Sequence, residues 1–168
     1  MIMVKLNEIT VELTEQMLMT VKKYIQGKGQ SENGGILLGG YIPAENNYII
    51  TTASEPCNKD CKGTVYFVRN RENAQEIINN YWKASEGKIN YLGEWHTHGC
   101  KNPYPSYTDK KLLKSLIKDK SNVWAELFML IVGRNNTFYL GMTNEKSKGK
   151  IIAEIQIEGD KDAFIFNR

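Results

Sequence analysis

The run Gly34-Gly35-Ile36-Leu37-Leu38-Gly39-Gly40 constrains the architecture of this chain more than any other segment. A short, continuous apolar core bracketed by glycine pairs predicts a strand buried on both faces. Glycine inside a strand marks places where another backbone or a ligand comes close. Tyr41 and Ile42 prolong the run, residues 43–47 carry turn chemistry, and residues 48–53 read as a second strand. The pair should form a hairpin at the centre of a sheet.

The remaining segments supply neighbours for that hairpin. Residues 2–13 are rich in Val, Ile and Thr and alternate loosely, which predicts one or two strands. Thr14 is a cap for a helix to about Gln26, with Met17, Leu18, Val21 and Ile25 on one face and Gly27 closing it. Residues 55–63 read as a polar loop and 65–68 as a short strand. Asn70 is a cap for a second helix, with Ala74, Ile77, Ile78, Tyr81 and Trp82 at helical spacing and Gly87 after its end. Residues 89–98 form another strand. A third helix starts near Ser106 or Thr108 and turns Leu112, Leu113, Leu116 and Ile117 inward. Residues 127–132, 138–142 and 151–157 are strands, and 160–168 are expected to add an edge strand. The expected class is α+β: one domain over all 168 residues, a mixed sheet wrapped by two or three helices.

Composition excludes several functions. A hydrophobic share of 41% and a charged share of 24% are those of a soluble globular protein. The net charge of +3 is carried by scattered lysines, unlike the clustered basic face of a nucleic-acid binder. No apolar run approaches the roughly 20 residues of a membrane span. Lys5, Glu8 and Glu12 interrupt any secretion-type apolar segment at the N-terminus. Three cysteines, an odd number, fit a reducing compartment better than a disulfide framework. The expected location is the cytoplasm.

Chemistry concentrates in Gly93-Glu94-Trp95-His96-Thr97-His98 and Pro105-Ser106-Tyr107-Thr108-Asp109. His96 and His98 are the two histidines of the chain. Residues two apart on a strand leave the same face, so both imidazoles, the commonest metal-ligating side chains, aim one way. A catalytic zinc takes three protein ligands and keeps a position open for water. Two histidines and Asp109 would satisfy it. Glu94 shares the strand face with His96 and is a candidate ligand, base or acceptor for an imidazole N–H. Ser106 and Asp109 also have capping-box spacing. Cys57 and Cys61 have the spacing of a zinc half-site, and Cys100, two residues past His98, is a candidate extra ligand or regulatory thiol.

Glu32, His96-x-His98, seven residues, Ser106, two residues, Asp109: this order resembles the JAMM motif of the JAB/MPN family of zinc metallopeptidases. Glu32 stands just before Gly34-Gly35-Ile36-Leu37-Leu38-Gly39, as the family's glutamate stands before a similar strand. The resemblance covers nearly the whole chain and implies a JAB/MPN-like, cytidine-deaminase-like fold. It implies one zinc ion held by His96, His98 and Asp109 with water as fourth ligand, Glu32 as the base, and Ser106 as donor to the oxyanion. The wording Gly-Glu-Trp-His-Thr-His is similar to the prokaryotic branch. Its members act on ubiquitin-like or sulfur-carrier proteins, some beside activating and conjugating enzymes in antiphage CBASS-type systems. The implied reaction is hydrolysis of an isopeptide bond, or of a peptide bond just beyond a Gly-rich C-terminus. Two other readings keep the fold: a catalytically idle scaffold in a larger complex, and a DNA-associated domain of the RadC type. The retained ligands speak against the first and the weak charge against the second.

Overall fold

The computed structural model describes residues 1–159, so the expected edge strand at 160–168 lies outside the described residues. The strands are β1 (Ile2–Leu6), β2 (Ile9–Leu13), β3 (Gly34–Ile42), β4 (Asn47–Ala53), β5 (Cys61–Gly63), β6 (Tyr66–Val68), β7 (Asn90–Thr97), β8 (Glu126–Val132), β9 (Thr137–Asn144) and β10 (Ala153–Glu158). The helices are α1 (Glu15–Lys22), α2 (Arg71–Ala84) and α3 (Tyr107–Leu116), with a 3₁₀ turn at Pro43–Glu45.

Eight strands join in one mixed sheet, in the order β1-β2-β4-β3-β7-β8-β9-β10. The pairs β2/β4 and β7/β8 are parallel and the rest antiparallel. The sheet curls until its edges approach: Asn7, after β1, donates to the Ile152 carbonyl ahead of β10 at 3.4 Å. The glycine-flanked run is the central β3, and its glycines permit close strand contact. A Cβ on Gly39 would lie 1.9 Å from the Ile49 carbonyl oxygen of β4.

One face of the sheet buries Met17, Leu18 and Val21 of α1 against Leu37, Leu92, Trp95 and Phe128. The other face buries Ile36, Leu38, Tyr91 and Leu127 against Ala74 of α2 and Ile117 after α3. Leu113 of α3 extends that layer over Met129, Ile131 and Tyr139. A helix on one side and two on the other make the α+β sandwich. Among the described residues, no helix is long and apolar enough to cross a membrane.

Four local expectations are corrected. Helix α1 ends at Lys22, short of Gln26, because the next turn tightens to bonds from Tyr24 to Val21 and from Ile25 to Lys22. Tyr24 then packs at a tilt against Trp95, ring centroids 5.9 Å apart, and Gln26 folds inward. Within the expected polar loop, Cys61–Gly63 pairs with β6 as a separate hairpin. Leu112 of α3 faces outward, 38% exposed, since the helix rests on Leu113 and Ile117. Strand β7 closes at Thr97, so His98 stands just past its end.

Candidate active site

A bulge in β7 sets the face on which the candidate residues stand. Leu37 pairs with Gly93 and Leu38 with Tyr91, so Leu92 is an extra residue on β7. Gly93 takes φ +145°, and a Cβ there would lie 1.9 Å from the Phe128 carbonyl oxygen. One extra residue reverses the alternation. Leu92 and Trp95 consequently point to the α1 side, while Tyr91, Glu94 and His96 share the α2/α3 side.

The register of β3 on β7 sets the position of Glu32. Gly34 is the partner of His96. Two residues further along an antiparallel pair, Glu32 falls opposite His98 on the same face. The approach is fastened by Thr97 N–H to the Asn33 carbonyl at 2.8 Å and Asn33 N–H to Thr97 Oγ1 at 3.0 Å. Phe67 of the small hairpin fills the space a side chain at Gly34 would need. Glu32 is buried, and burial raises its carboxyl above the usual range against the pull of His96 and His98.

Helix α3 delivers the third element. Ser106 is its N-cap, and the box is reciprocal: Asp109 N–H donates to Ser106 Oγ at 3.2 Å and Ser106 N–H to Asp109 Oδ2 at 2.7 Å. The loop before it is pinned by Arg134 N–H to the Cys100 carbonyl, Thr137 Oγ1 to the Lys101 carbonyl and Gln156 Nε2 to the Pro103 carbonyl. Asp109 thereby reaches both histidines. His96 Nε2 and His98 Nε2 are 3.1 Å apart, His96 Nε2 lies 3.3 Å from Asp109 Oδ1, and His98 Nε2 lies 3.5 Å from Asp109 Oδ2. Burial alone would raise the Asp109 carboxyl, but hydrogen bonds from His96 and His98 hold it well below the carboxylate range.

These three contacts fit a metal. With ligand bonds of roughly 2.0–2.1 Å, a tetrahedral zinc separates its donor atoms by about 3.3 Å. The observed spacings of 3.1, 3.3 and 3.5 Å bracket that value. Among the described residues, His96, His98 and Asp109 form the cluster of ligating side chains that could hold an ion, with donor atoms all within 4.8 Å of one another.

Glu94 has other partners. Arg69 Nε donates to its two oxygens at 2.7 and 2.9 Å, and Tyr91 Oη donates to Oε1 at 2.7 Å. Its carboxylate is thus taken up by Arg69 and Tyr91 rather than by an imidazole. Arg69 was not legible as a site residue: it is a lone arginine between β6 and the α2 cap, and nothing in the sequence announces the bulge that turns Tyr91 and Glu94 toward it. Cys100 stands outside the ligand cluster, exposed, with its thiol directed to the Asn102 carbonyl at 3.5 Å. Cys57 and Cys61 are free thiols that join no three-ligand cluster among the described residues.

All these groups except Cys57 and Cys61 border one cleft of about 1130 Å³. Its walls are the β5/β6 hairpin, α2 and α3, and its floor follows β7 from Asn90 to His96. That volume exceeds the usual span of small-molecule pockets. Val65, Tyr66, Val68 and Trp82 leave apolar surface open along its walls.

Residues 17–145 match the family described as prokaryotic homologs of the JAB domain. The chain is 29% identical over 154 residues to a CD-NTase/cGAS isopeptidase of Pseudomonas aeruginosa, covering 89% of this chain and 93% of that protein. It is 32% identical over 128 residues to a protein of the same name from Escherichia coli, with coverages of 75% and 78%. A probable metalloprotease of Sinorhizobium fredii is 30% identical over 88 residues, about half of each chain (52% and 53%). The solution structure of a protein from Desulfitobacterium hafniense superposes with a TM-score of 0.55 at 14% identity, over 88% of this chain and 90% of that one. At that identity the likeness is one of fold.

Proposed function

We propose, from the premise that this chain belongs to the family of prokaryotic homologs of the JAB domain, that it is a zinc-dependent isopeptidase. It hydrolyses the amide bond after the C-terminus of a ubiquitin-like or sulfur-carrier protein, by deconjugation or by trimming a precursor. The reading extends to the whole chain as one catalytic unit. Relatives named isopeptidase and metalloprotease support the reaction class.

The observation that carries the reading is the convergence of His96 Nε2, His98 Nε2 and Asp109 on one point of a large cleft, with the buried Glu32 on the same sheet face. His96, His98 and Asp109 would hold one zinc ion, which when bound supplies a Lewis acid and lowers the pKa of water. Glu32 takes the proton of the attacking water and delivers it to the leaving amine. Its raised affinity for a proton, caused by burial, suits that return step. Ser106 has a second task beside capping: Oγ accepts from Asp109 N–H, which leaves its own O–H to donate to the oxygen of the scissile carbonyl as charge develops there. The open, apolar length of the cleft receives an extended tail.

The test is cleavage of ubiquitin-like proteins of bacterial origin fused through their C-terminus to green fluorescent protein, with and without chelator, alongside zinc analysis of the purified protein. Stoichiometric zinc and chelator-sensitive cleavage at the tail junction are expected. Absence of zinc, or cleavage indifferent to chelator, overturns the reading.

A further inference from the structure

Arg69 and Glu94 are a charged pair of the cleft that the reaction above does not use. Glu94 is 4% exposed, and its carboxylate is satisfied by Arg69 Nε and the Tyr91 hydroxyl. Arg69 contributes Nε alone to that contact. A guanidinium carries five N–H groups in a fixed planar fork; part of the fork also faces the Tyr91 hydroxyl, and the donors beyond Glu94 and Tyr91 are left for another partner. The Arg69 side chain is 22% exposed and borders the cleft beside Tyr91.

The position along β7 is informative. Glu94 precedes His96 by two residues, about 6.5–7 Å of strand. The cleft floor continues the other way to Tyr91 and Asn90, with Ile78 and Trp82 of α2 above it. An extended tail ending at the metal cluster therefore passes Arg69 two or three residues before the scissile amide. The charge of Arg69 is already matched by Glu94 at 2.7 Å. Its remaining donors meet a neutral acceptor more favourably than a second carboxylate, and an extended backbone offers a carbonyl at every residue.

Building on the isopeptidase reading, we propose that Arg69, held by Glu94, positions the substrate by donating to backbone carbonyl oxygens of the tail two or three residues upstream of the scissile bond. Arg69 acts through the tail and touches none of the reacting atoms. Glu94 serves as its anchor, and the Gly93 bulge exists in part to turn that anchor toward the cleft.

The experiment uses the full-length, zinc-loaded protein and the best-cleaved fusion from the panel above. Two variants are compared: Arg69→Lys, which keeps a cation for Glu94 but loses the planar fork, and Arg69→Ala/Glu94→Gln, which leaves no stranded charge. Zinc content and melting temperature are read alongside kcat and KM. The expected result is a rise in KM of about 10- to 100-fold in both variants, the range for loss of charge-assisted hydrogen bonds, with the loss falling on KM rather than kcat. Millimolar guanidinium ion should restore part of the affinity of the double variant, a rescue that a purely structural role would not show. If wild-type protein cleaves the fusion while both variants keep its KM, or lose only kcat and stability, the assignment of Arg69 is overturned and the isopeptidase reading stands. If wild type cleaves no fusion, the isopeptidase reading fails and this proposal fails with it.

Discussion

Gly34 of β3 is the register partner of His96 of β7, and that single pairing aligns Glu32 with His98. Because Gly34 has no side chain, Phe67 packs over the junction. The glutamate that precedes the central strand and the histidines that end its neighbour, more than sixty residues apart, meet through strand geometry alone.

Glu32→Gln should retain stoichiometric zinc, because Glu32 is not among the clustered donor atoms. Turnover should fall at least about 100-fold, the lower range for removing a positioned acid–base group. Zinc analysis and fusion cleavage on one preparation check both halves. Near-normal turnover would remove Glu32 from the mechanism.

The same substitution should stabilise the metal-free protein at neutral pH. Burial raises the Glu32 carboxyl in the folded state, so the folded state binds more protons than the unfolded one above the unfolded carboxylate range, near pH 4.3. The penalty is absent below that pH and grows as pH rises toward the folded value. Thermal melts in chelator should show Glu32→Gln above wild type at pH 7 and equal to it near pH 3. A variant less stable than wild type at pH 7 would contradict this sign.

Ser106→Ala removes two things of different size. Loss of the N-cap costs about 1 kcal/mol of stability, whereas loss of an oxyanion donor costs roughly 100- to 1,000-fold in kcat. Denaturant unfolding and steady-state kinetics separate them. A fall in kcat no larger than the cap loss explains would return Ser106 to a structural role.

Gly93→Ala forces a side chain onto the Phe128 carbonyl at φ +145°. The site has no slack, since the contact is backbone on a parallel neighbour. A loss of about 3 kcal/mol or more is expected, at the severe end for point substitutions. A melting temperature within a few degrees of wild type would show that the bulge can relax.

The candidate ligands were readable before the fold because each half of the set is local. His96 and His98 follow from strand alternation, and Ser106 with Asp109 from the arithmetic of a helix cap. The central position of Gly34–Ile42 followed from glycine and burial. What escaped was every feature that depends on a distant partner. The β5/β6 hairpin lay in a stretch too polar to announce a strand. Leu112 sat at helical spacing, yet the helix settled on Leu113 and Ile117. Gln26 looked like helix, but the last turn tightened and placed it in the cleft wall, where its Nε2 donates to the Gln30 and Thr64 carbonyls.

Glu94 marks the boundary between the two kinds of information. Sequence alone determined that a carboxylate stands two residues before His96 on its face, and that His96, His98 and Asp109 stand in the order of the motif this chain resembles. Tertiary structure decided what that carboxylate holds. The bulge at Gly93 turned Tyr91 to the same side, and the end of the hairpin brought Arg69 to 2.7 Å. A buried charge must find its counter-charge wherever the fold can supply one, and here the supplier is 25 residues away in sequence.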